Sequence, residues 1–164
     1  MKYFLSLGSN INAEKNLEFA LEELKKILSN VQSSSIHQTK AEGFEGDDFL
    51  NSVVCGNSEL DFKNLNKKLK LIEDNAGRNR NAPKFSARTL DIDIVLQIDD
   101  NDDILFESDE IQKYSFVSAP LKELIWWEQK NFLETFIDIW AYLYQYNYCC
   151  GQYQEFILHI TKLN

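Results

Sequence analysis

The segment GRNRNAPKFSARTLDIDIV, residues 77–95, joins a predicted helix to a predicted strand and decides how the rest of the chain is interpreted. Its leading glycine suits the position just after a helix, where a left-handed backbone is favoured. Residues 90–94 alternate apolar and acidic side chains, which is the period of a half-buried strand. The segment also holds every arginine of a chain whose net charge is −9, namely Arg78, Arg80 and Arg88. It therefore predicts a helix, a basic loop and an acidic strand in succession.

Hydrophobic patterns on both sides of this segment indicate an α+β fold. We predict strands at residues 2–7, 31–39, 49–57, 89–98 and 104–106, and helices at 14–29, 62–76, 119–129 and 132–146. The core order strand–helix–strand–strand–helix–strand is that of a ferredoxin-like βαββαβ fold, an antiparallel sheet with helices packed on it. Residues 1–127 are expected to form this domain, and residues 128–164 a mostly helical, aromatic-rich extension packed on it.

Individual residues predict where the elements begin and end. Asn12 and Asp61 are expected to cap the first two helices, and Gly77 to follow the second. Residues 8–10, Gly-Ser-Asn, predict a turn after the first strand. The solvated face of the second helix is expected to carry its spaced lysines, Lys63, Lys67 and Lys70.

Composition excludes several classes of protein. With 44% hydrophobic and 13% aromatic residues, the chain is expected to be globular. We find no signal-like start, no stretch apolar enough for a membrane span, and no ligand spacing among the three cysteines. The negative net charge disfavours nucleic acid as a partner. We therefore expect a cytoplasmic monomer without a nucleic-acid or membrane partner.

Asp91 and Asp93 form a candidate metal site. As residues i and i+2 of a strand they share one face, with Cα atoms about 6.5–7 Å apart. Leu90, Ile92 and Ile94 take the opposite, core side. Two such carboxylates can share a hard divalent cation with phosphate oxygens. The alternative is the exposed polar face of an ordinary half-buried strand.

The basic loop upstream favours the metal interpretation. Arg78, Arg80, Lys84 and Arg88 place cations beside the aspartates, and guanidinium groups match the geometry of phosphate. The sequence lacks the glycine-rich phosphate-binding motifs, so side chains would have to hold the phosphates. A nucleotide or polyphosphate site is therefore predicted.

Phe49 and Asn51 lie on one face of the strand predicted at residues 49–57. A ring beside an amide that can both donate and accept hydrogen bonds suits a flat heterocycle with mixed polar edges. An ordinary aromatic residue and a satisfied asparagine are the alternative that spacing alone favours.

Four motifs in order carry a resemblance to a known family. They are LGSN at residues 7–10, FLN at 49–51, GRNR at 77–80 and KFSARTLDIDIV at 84–95. With them the sequence resembles the 6-hydroxymethyl-7,8-dihydropterin pyrophosphokinases of folate biosynthesis over about residues 1–121. The resemblance implies transfer of pyrophosphate from ATP to the pterin hydroxymethyl group, with AMP as the other product and Mg²⁺ as the cofactor.

The resemblance also implies roles for individual residues, by ligand. Asp91 and Asp93 correspond to the magnesium-binding pair of the family. Arg78 and Arg88 correspond to the catalytic arginines that contact the phosphates. The residues expected to contact ATP are Glu73, Arg80, Lys70 and Ile94. The residues expected to contact the pterin are Thr39, Phe49, Asn51 and Phe116.

The segment LFESDEIQKYSF, residues 105–116, departs from the family pattern. It is net acidic and lacks the histidine and the arginine that help to hold ATP, with Tyr114 where the arginine is expected. Lys70 likewise stands where glutamine is usual. Two interpretations therefore stay open. The first is an active pyrophosphokinase, and the second is a degenerate paralogue that binds pterin or nucleotide without turnover, or an interaction protein. Retention of the aspartates together with Arg78 and Arg88 favours the active enzyme.

Overall fold

The computed structural model describes residues 1–41, 46–83 and 86–129, without the side chains of 126–129. Its elements are β1 (Lys2–Ser9), α1 (Ala13–Leu24), β2 (Ser29–Ser33), β3 (His37–Thr39), β4 (Phe49–Asn57), α2 (Phe62–Asn75), β5 (Asp91–Ile98), β6 (Ile104–Glu107), α3 (Glu110–Lys113) and α4 (Ser115–Gln129). The predicted α+β fold is confirmed. The helix predicted at 132–146 and nearly all of the extension at 128–164 lie outside the described residues. Of the helices described, none combines the length and apolar character needed to cross a lipid bilayer.

The strands form one antiparallel sheet in the order β2-β4-β1-β5-β6, with β3 also paired to β4. The first four strands of that order have the arrangement of the ferredoxin-like core, and β6 adds an edge. The single strand predicted at 31–39 is instead two short strands, β2 and β3. Between them, the Ser34 hydroxyl accepts a hydrogen bond from the Val53 amide at 3.0 Å, so a side chain replaces a backbone partner.

Helices α1 and α2 cover one face of the sheet and form the main core with it. The largest side chains of this core are Tyr3, Leu5, Leu7, Leu17, Leu24, Leu28, Leu65, Leu69, Ile72, Leu90, Ile92 and Ile94. The predicted core side of β5 is therefore confirmed. Each such Leu or Ile stabilises the fold by about 1.5–3 kcal/mol relative to an exposed side chain.

The opposite face of the sheet is also covered. Phe4 and Val53 point away from the main core and are fully buried. On this side, Glu123 of α4 accepts a hydrogen bond from the Ser35 amide at 2.8 Å and pairs with His37 Nε2 at 2.6 Å. These contacts tie α4 to the segment that contains β3.

Strand β5 contains a β-bulge beside β1. Leu5 pairs with Ile94, whereas Phe4 pairs with Leu96, which leaves Val95 as the extra residue. A bulge of this kind puts two residues of one strand opposite one residue of its neighbour. The alternation of side chains along β5 therefore changes at Val95.

The second helix begins and ends as predicted. The Asp61 carboxylate accepts a hydrogen bond from the Asn64 amide at 2.7 Å, which satisfies a backbone donor of the first turn. Gly77 has a φ of 80°. The Arg78 amide then donates to the Glu73 carbonyl at 3.1 Å, the bond that closes a Schellman motif.

The first helix begins differently. Asn12 precedes it with φ 48° and ψ 41°, in the left-handed region, and makes no side-chain capping bond within the described chain. A capping side chain needs an extended backbone to reach the amides of the first turn, so the predicted side-chain cap is wrong. The Asn12 carbonyl instead accepts a hydrogen bond from the Asn16 amide at 3.1 Å.

Candidate active site

A cavity of about 180 Å³ opens on the sheet face that points away from α1 and α2. Most of the residues predicted for the site line it: Thr39, Phe49, Asn51, Arg88, Asp91, Asp93 and Phe116. They come from β3, β4, β5, α4 and the loop before β5. The fold thus brings the four residues predicted for the pterin, the two predicted metal ligands and Arg88 to one cavity, whereas Arg78 does not line it.

Asn51 is held at the floor of this cavity. Its side chain is 4% exposed, and its Nδ2 donates a hydrogen bond to Thr39 Oγ1 at 2.8 Å. On the neighbouring strand, a Cβ at Gly8 would lie only 3.2 Å from Asn51 Oδ1, so glycine leaves room for the amide. The turn predicted at residues 8–10 is wrong in part, because β1 continues through Ser9 to form this floor.

Aromatic rings line part of the cavity. Phe49 and Phe116 are both half-buried and both line it. The ring of Tyr114 stacks on that of Phe116, with centroids 4.9 Å apart and an interplanar angle of 17°. Offset stacking of this kind contributes about 0.5–1.5 kcal/mol, so Tyr114 helps to fix the orientation of Phe116.

Asp91 and Asp93 share a face, as predicted. They lie opposite Gly8 and Ser6 of β1 and reach the cavity together. Across the described ranges, no three His, Cys, Asp or Glu side chains form a group able to hold a metal ion. The arrangement is therefore a pair of carboxylates, which suits a magnesium ion that takes its other ligands from phosphate and water.

Basic side chains pair with both aspartates. Arg78 Nη2 lies 3.3 Å from Asp91 Oδ1, and Arg88 Nη1 donates to Asp91 Oδ2. Lys70 Nζ lies 3.1 Å from Asp93 Oδ1. The acidic pair and its neighbouring cations thus form one charged cluster. Lys84, which was predicted to join it, lies outside the described residues.

Glu73 contacts this cluster from its buried side, with a side chain that is 0% exposed. Its Oε1 accepts hydrogen bonds from Lys70 Nζ at 2.7 Å and from the Ile92 amide at 2.8 Å. Its Oε2 accepts one from Arg80 Nη2 at 3.1 Å. A buried carboxylate is tolerated because charged and backbone donors satisfy both oxygens.

Lys70 does not lie on a solvated face, so that prediction is wrong for this residue, whereas Lys63 and Lys67 are exposed as predicted. Burial lowers the pKa of Lys70, but the attraction of Asp93 and Glu73 outweighs burial and raises it overall. Lys70 is therefore a firmly charged ammonium group at the edge of the site.

The other residues predicted for ATP stand outside the cavity. Arg80 Nε donates to Asp74 at 2.8 Å, and its Nη2 also donates to the Lys70 carbonyl at 2.9 Å, so Arg80 lies along α2. The side chain of Ile94 is 6% exposed and belongs to the main core. A nucleotide contact at Ile94 would therefore use its backbone.

Asn10 is a site residue that the sequence interpretation missed. The backbone amide of Asn10 donates to the Arg88 carbonyl at 3.0 Å, and the side-chain oxygen Oδ1 of Asn10 accepts from the backbone amide of Arg88 at 2.6 Å. Its Nδ2 also donates to the Asp47 carbonyl at 3.0 Å. Asn10 thereby fixes the backbone that presents Arg88. The LGSN motif was the available signal, but it was interpreted as a turn.

Glu110 is a second residue that was missed. It begins α3, lines the cavity and faces the aspartates. Burial raises the pKa of Glu110, and the negative charges of Asp93 and Asp91 raise it further. The acidic character noted for residues 105–116 thus extends to the cavity wall.

Comparison with known proteins agrees with this site. Residues 4–126 match the family described as 7,8-dihydro-6-hydroxymethylpterin-pyrophosphokinase (HPPK). The chain is 34% identical over 99 residues to the 2-amino-4-hydroxy-6-hydroxymethyldihydropteridine pyrophosphokinase of Aquifex aeolicus, a match that covers 59% of this chain and 61% of that protein.

Longer proteins also match. The folate synthesis bifunctional protein of Chlamydia caviae is 36% identical over 131 residues, covering 73% of this chain and 29% of that protein. The protein of the same name from Arabidopsis thaliana is 30% identical over 127 residues, a match that covers 74% of this chain and 26% of that protein. The chain thus spans less than two thirds of the length of each relative. Because the family match extends over most of the chain, this protein belongs to the HPPK family.

Proposed function

We propose that this protein transfers a diphosphate group from ATP to the hydroxymethyl group of 6-hydroxymethyl-7,8-dihydropterin and releases AMP. The observation that carries the proposal is the shared cavity. Aromatic and amide side chains suited to a pterin and charged side chains suited to a magnesium triphosphate line the same space. Membership of the HPPK family supports the same reaction.

The pterin would occupy the end of the cavity that holds Asn51. Its flat ring would lie between Phe49 and Phe116, which leave ring surface toward the cavity. Asn51 and Thr39 would hydrogen-bond its polar edge, because the Asn51 side chain is buried and already fixed by Thr39. A buried amide of this kind rejects ligands that cannot pair with it.

The triphosphate would lie across the charged cluster. Arg78 and Arg88 would contact the phosphates, and Arg78 Nε is a buried donor with no partner among the described residues. Asp91 and Asp93 would hold Mg²⁺, which when bound neutralises phosphate charge as the transfer proceeds. Lys70, Arg80, Glu73 and the backbone of Ile94 would form the nucleotide side of the site.

The chain's own contribution is positioning and charge. Among the described residues that line the cavity none is a histidine, so no imidazole stands ready to take the hydroxyl proton. The fixed pterin and the clamped phosphates would bring the hydroxyl oxygen in line with the β-phosphorus. Positioning and electrostatic stabilisation of this kind account for most of the rate in phosphoryl transfer.

Release of AMP from Mg·ATP by the purified protein tests the proposal. AMP is expected only in the presence of 6-hydroxymethyl-7,8-dihydropterin and in equal amount to the pterin diphosphate. Pterin binding without AMP formation by folded protein would instead favour a non-catalytic binding protein. The acidic wall at Glu110 and the tyrosine at position 114 are the features that favour this second function.

Arg88→Ala is expected to lower turnover by about a hundredfold or more and to change pterin affinity by less than about threefold. The guanidinium group belongs to the charged cluster, whereas the residues proposed to contact the pterin lie on β3, β4 and α4. Steady-state AMP release and fluorescence titration with the pterin measure the two effects separately. Equal losses in both would contradict a phosphate role for Arg88.

A further inference from the structure

The carboxylates proposed to bind the metal are already paired with cations in this structure. Asp91 pairs with both arginines of the cluster, and Asp93 Oδ1 lies 3.1 Å from Lys70 Nζ. A divalent cation that approached Asp93 would meet a positive ammonium group at the same oxygen. Two cations that compete for one carboxylate oxygen repel each other strongly at such distances.

The contacts of Lys70 differ in how easily they can be broken. One partner, Glu73 Oε1 at 2.7 Å, belongs to a side chain that is 0% exposed and also holds the Ile92 amide. A second partner is the Ile92 carbonyl at 3.1 Å. The third, Asp93, has a side chain that is 47% exposed. Lys70 is thus held firmly on the buried side and only by a solvated carboxylate on the cavity side.

We propose that Lys70 is an exchangeable counter-ion of Asp93. In the nucleotide-free protein its ammonium group is paired with Asp93 Oδ1, and it turns to a phosphate oxygen when magnesium and triphosphate enter together. The inference rests on the proposed function, since it takes the triphosphate as the arriving group. Its consequence is that a divalent cation binds the free protein weakly and binds well only with the nucleotide.

Manganese binding to the full chain without nucleotide tests this inference. Lys70→Gln removes the charge and keeps a hydrogen-bond donor for Glu73, so its Mn²⁺ dissociation constant is expected to be about tenfold lower than that of the unchanged protein. Lys67→Gln makes the same charge change on an exposed part of α2 and is the matched control. Calorimetry, or the electron paramagnetic resonance signal of free Mn²⁺, gives the constants.

Lys70→Arg separates charge from side-chain identity. It keeps the cation, so Mn²⁺ is expected to bind as weakly as to the unchanged protein. Equal Mn²⁺ affinity in Lys70→Gln and the unchanged protein, or tighter binding in Lys70→Arg, would overturn the inference. Should Lys70→Gln fail to fold by circular dichroism, Lys70→Arg still tests the inference, because tighter Mn²⁺ binding in that variant contradicts it.

The measurement also separates this inference from the proposed function. Mn²⁺ binding without substrate does not depend on turnover, so it gives a result even if no AMP is released. Tighter binding in Lys70→Gln without any AMP release would keep the counter-ion role and contradict the proposed reaction. AMP release by the unchanged protein, with equal Mn²⁺ affinity in Lys70→Gln, would support the proposed reaction and contradict the counter-ion role.

Discussion

Asp93→Asn is expected to lower the rate of AMP release by about a thousandfold or more while the fold stays intact. The substitution removes a negative oxygen from the carboxylate pair that would hold magnesium on the phosphates. The side chain is 47% exposed and pairs with Lys70 at the cavity edge, so the core does not depend on it. Initial rates at saturating Mg·ATP and pterin measure the loss of turnover, and a thermal melt of the same preparation measures whether the fold is intact.

Asp103→Asn is a suitable control for this experiment. Asp103 is exposed in the turn between β5 and β6, and it follows the same strand at its other end. The control loses one unit of negative charge and is expected to keep its turnover. Near-native turnover and an unchanged magnesium requirement in Asp93→Asn would contradict the metal role of the pair.

Glu73→Ala is expected to lower the free energy of unfolding by about 3–5 kcal/mol. The carboxylate is fully buried and accepts hydrogen bonds from Lys70, Arg80 and the Ile92 amide. Its removal leaves these donors without their common acceptor, and an unsatisfied buried donor costs more than the bond itself contributes. Urea denaturation followed by circular dichroism measures the change.

The neighbouring residue supplies the control for Glu73. Asp74 also pairs with Arg80, at 2.8 Å, but its side chain is 48% exposed. Asp74→Ala is expected to cost less than about 1 kcal/mol, because exposed ion pairs contribute little. Similar losses in the two variants would show that burial does not determine the contribution of Glu73.

The parts of the fold that could be predicted are those with strong local signals. The alternation of side chains along the sequence predicted β4 and β5. Asp61 predicted the start of α2, and Gly77 predicted its end. The strand order follows from the order of the elements once the ferredoxin-like pattern is accepted. Local signals misled where tertiary contacts set the backbone. Gly8 was interpreted as a turn residue, but its missing side chain serves a close approach to Asn51 across the sheet.

The composition of the site was more predictable than its contacts. The motifs named most of the residues that line the cavity, because each motif keeps its residue types at fixed spacing. The partners of those residues lie far away along the chain. Asn10 bonds the backbone of Arg88 across 78 residues, and Lys70 reaches Asp93 across 23. No local pattern reports such pairings, so Lys70 was assigned to a solvated face and Asn10 to a turn.

The bulge at Val95 has a consequence for the tolerance of β5 to insertions and deletions. With the bulge, Asp91 and Asp93 share a sheet face with Leu96, which pairs with Phe4. Loss of Val95 would leave a regular ladder with these side chains on the faces they now occupy, whereas loss of Ile92 would put Asp91 and Asp93 on opposite faces. We therefore expect β5 to tolerate a deletion at Val95 more readily than a deletion or an insertion between Asp91 and Asp93.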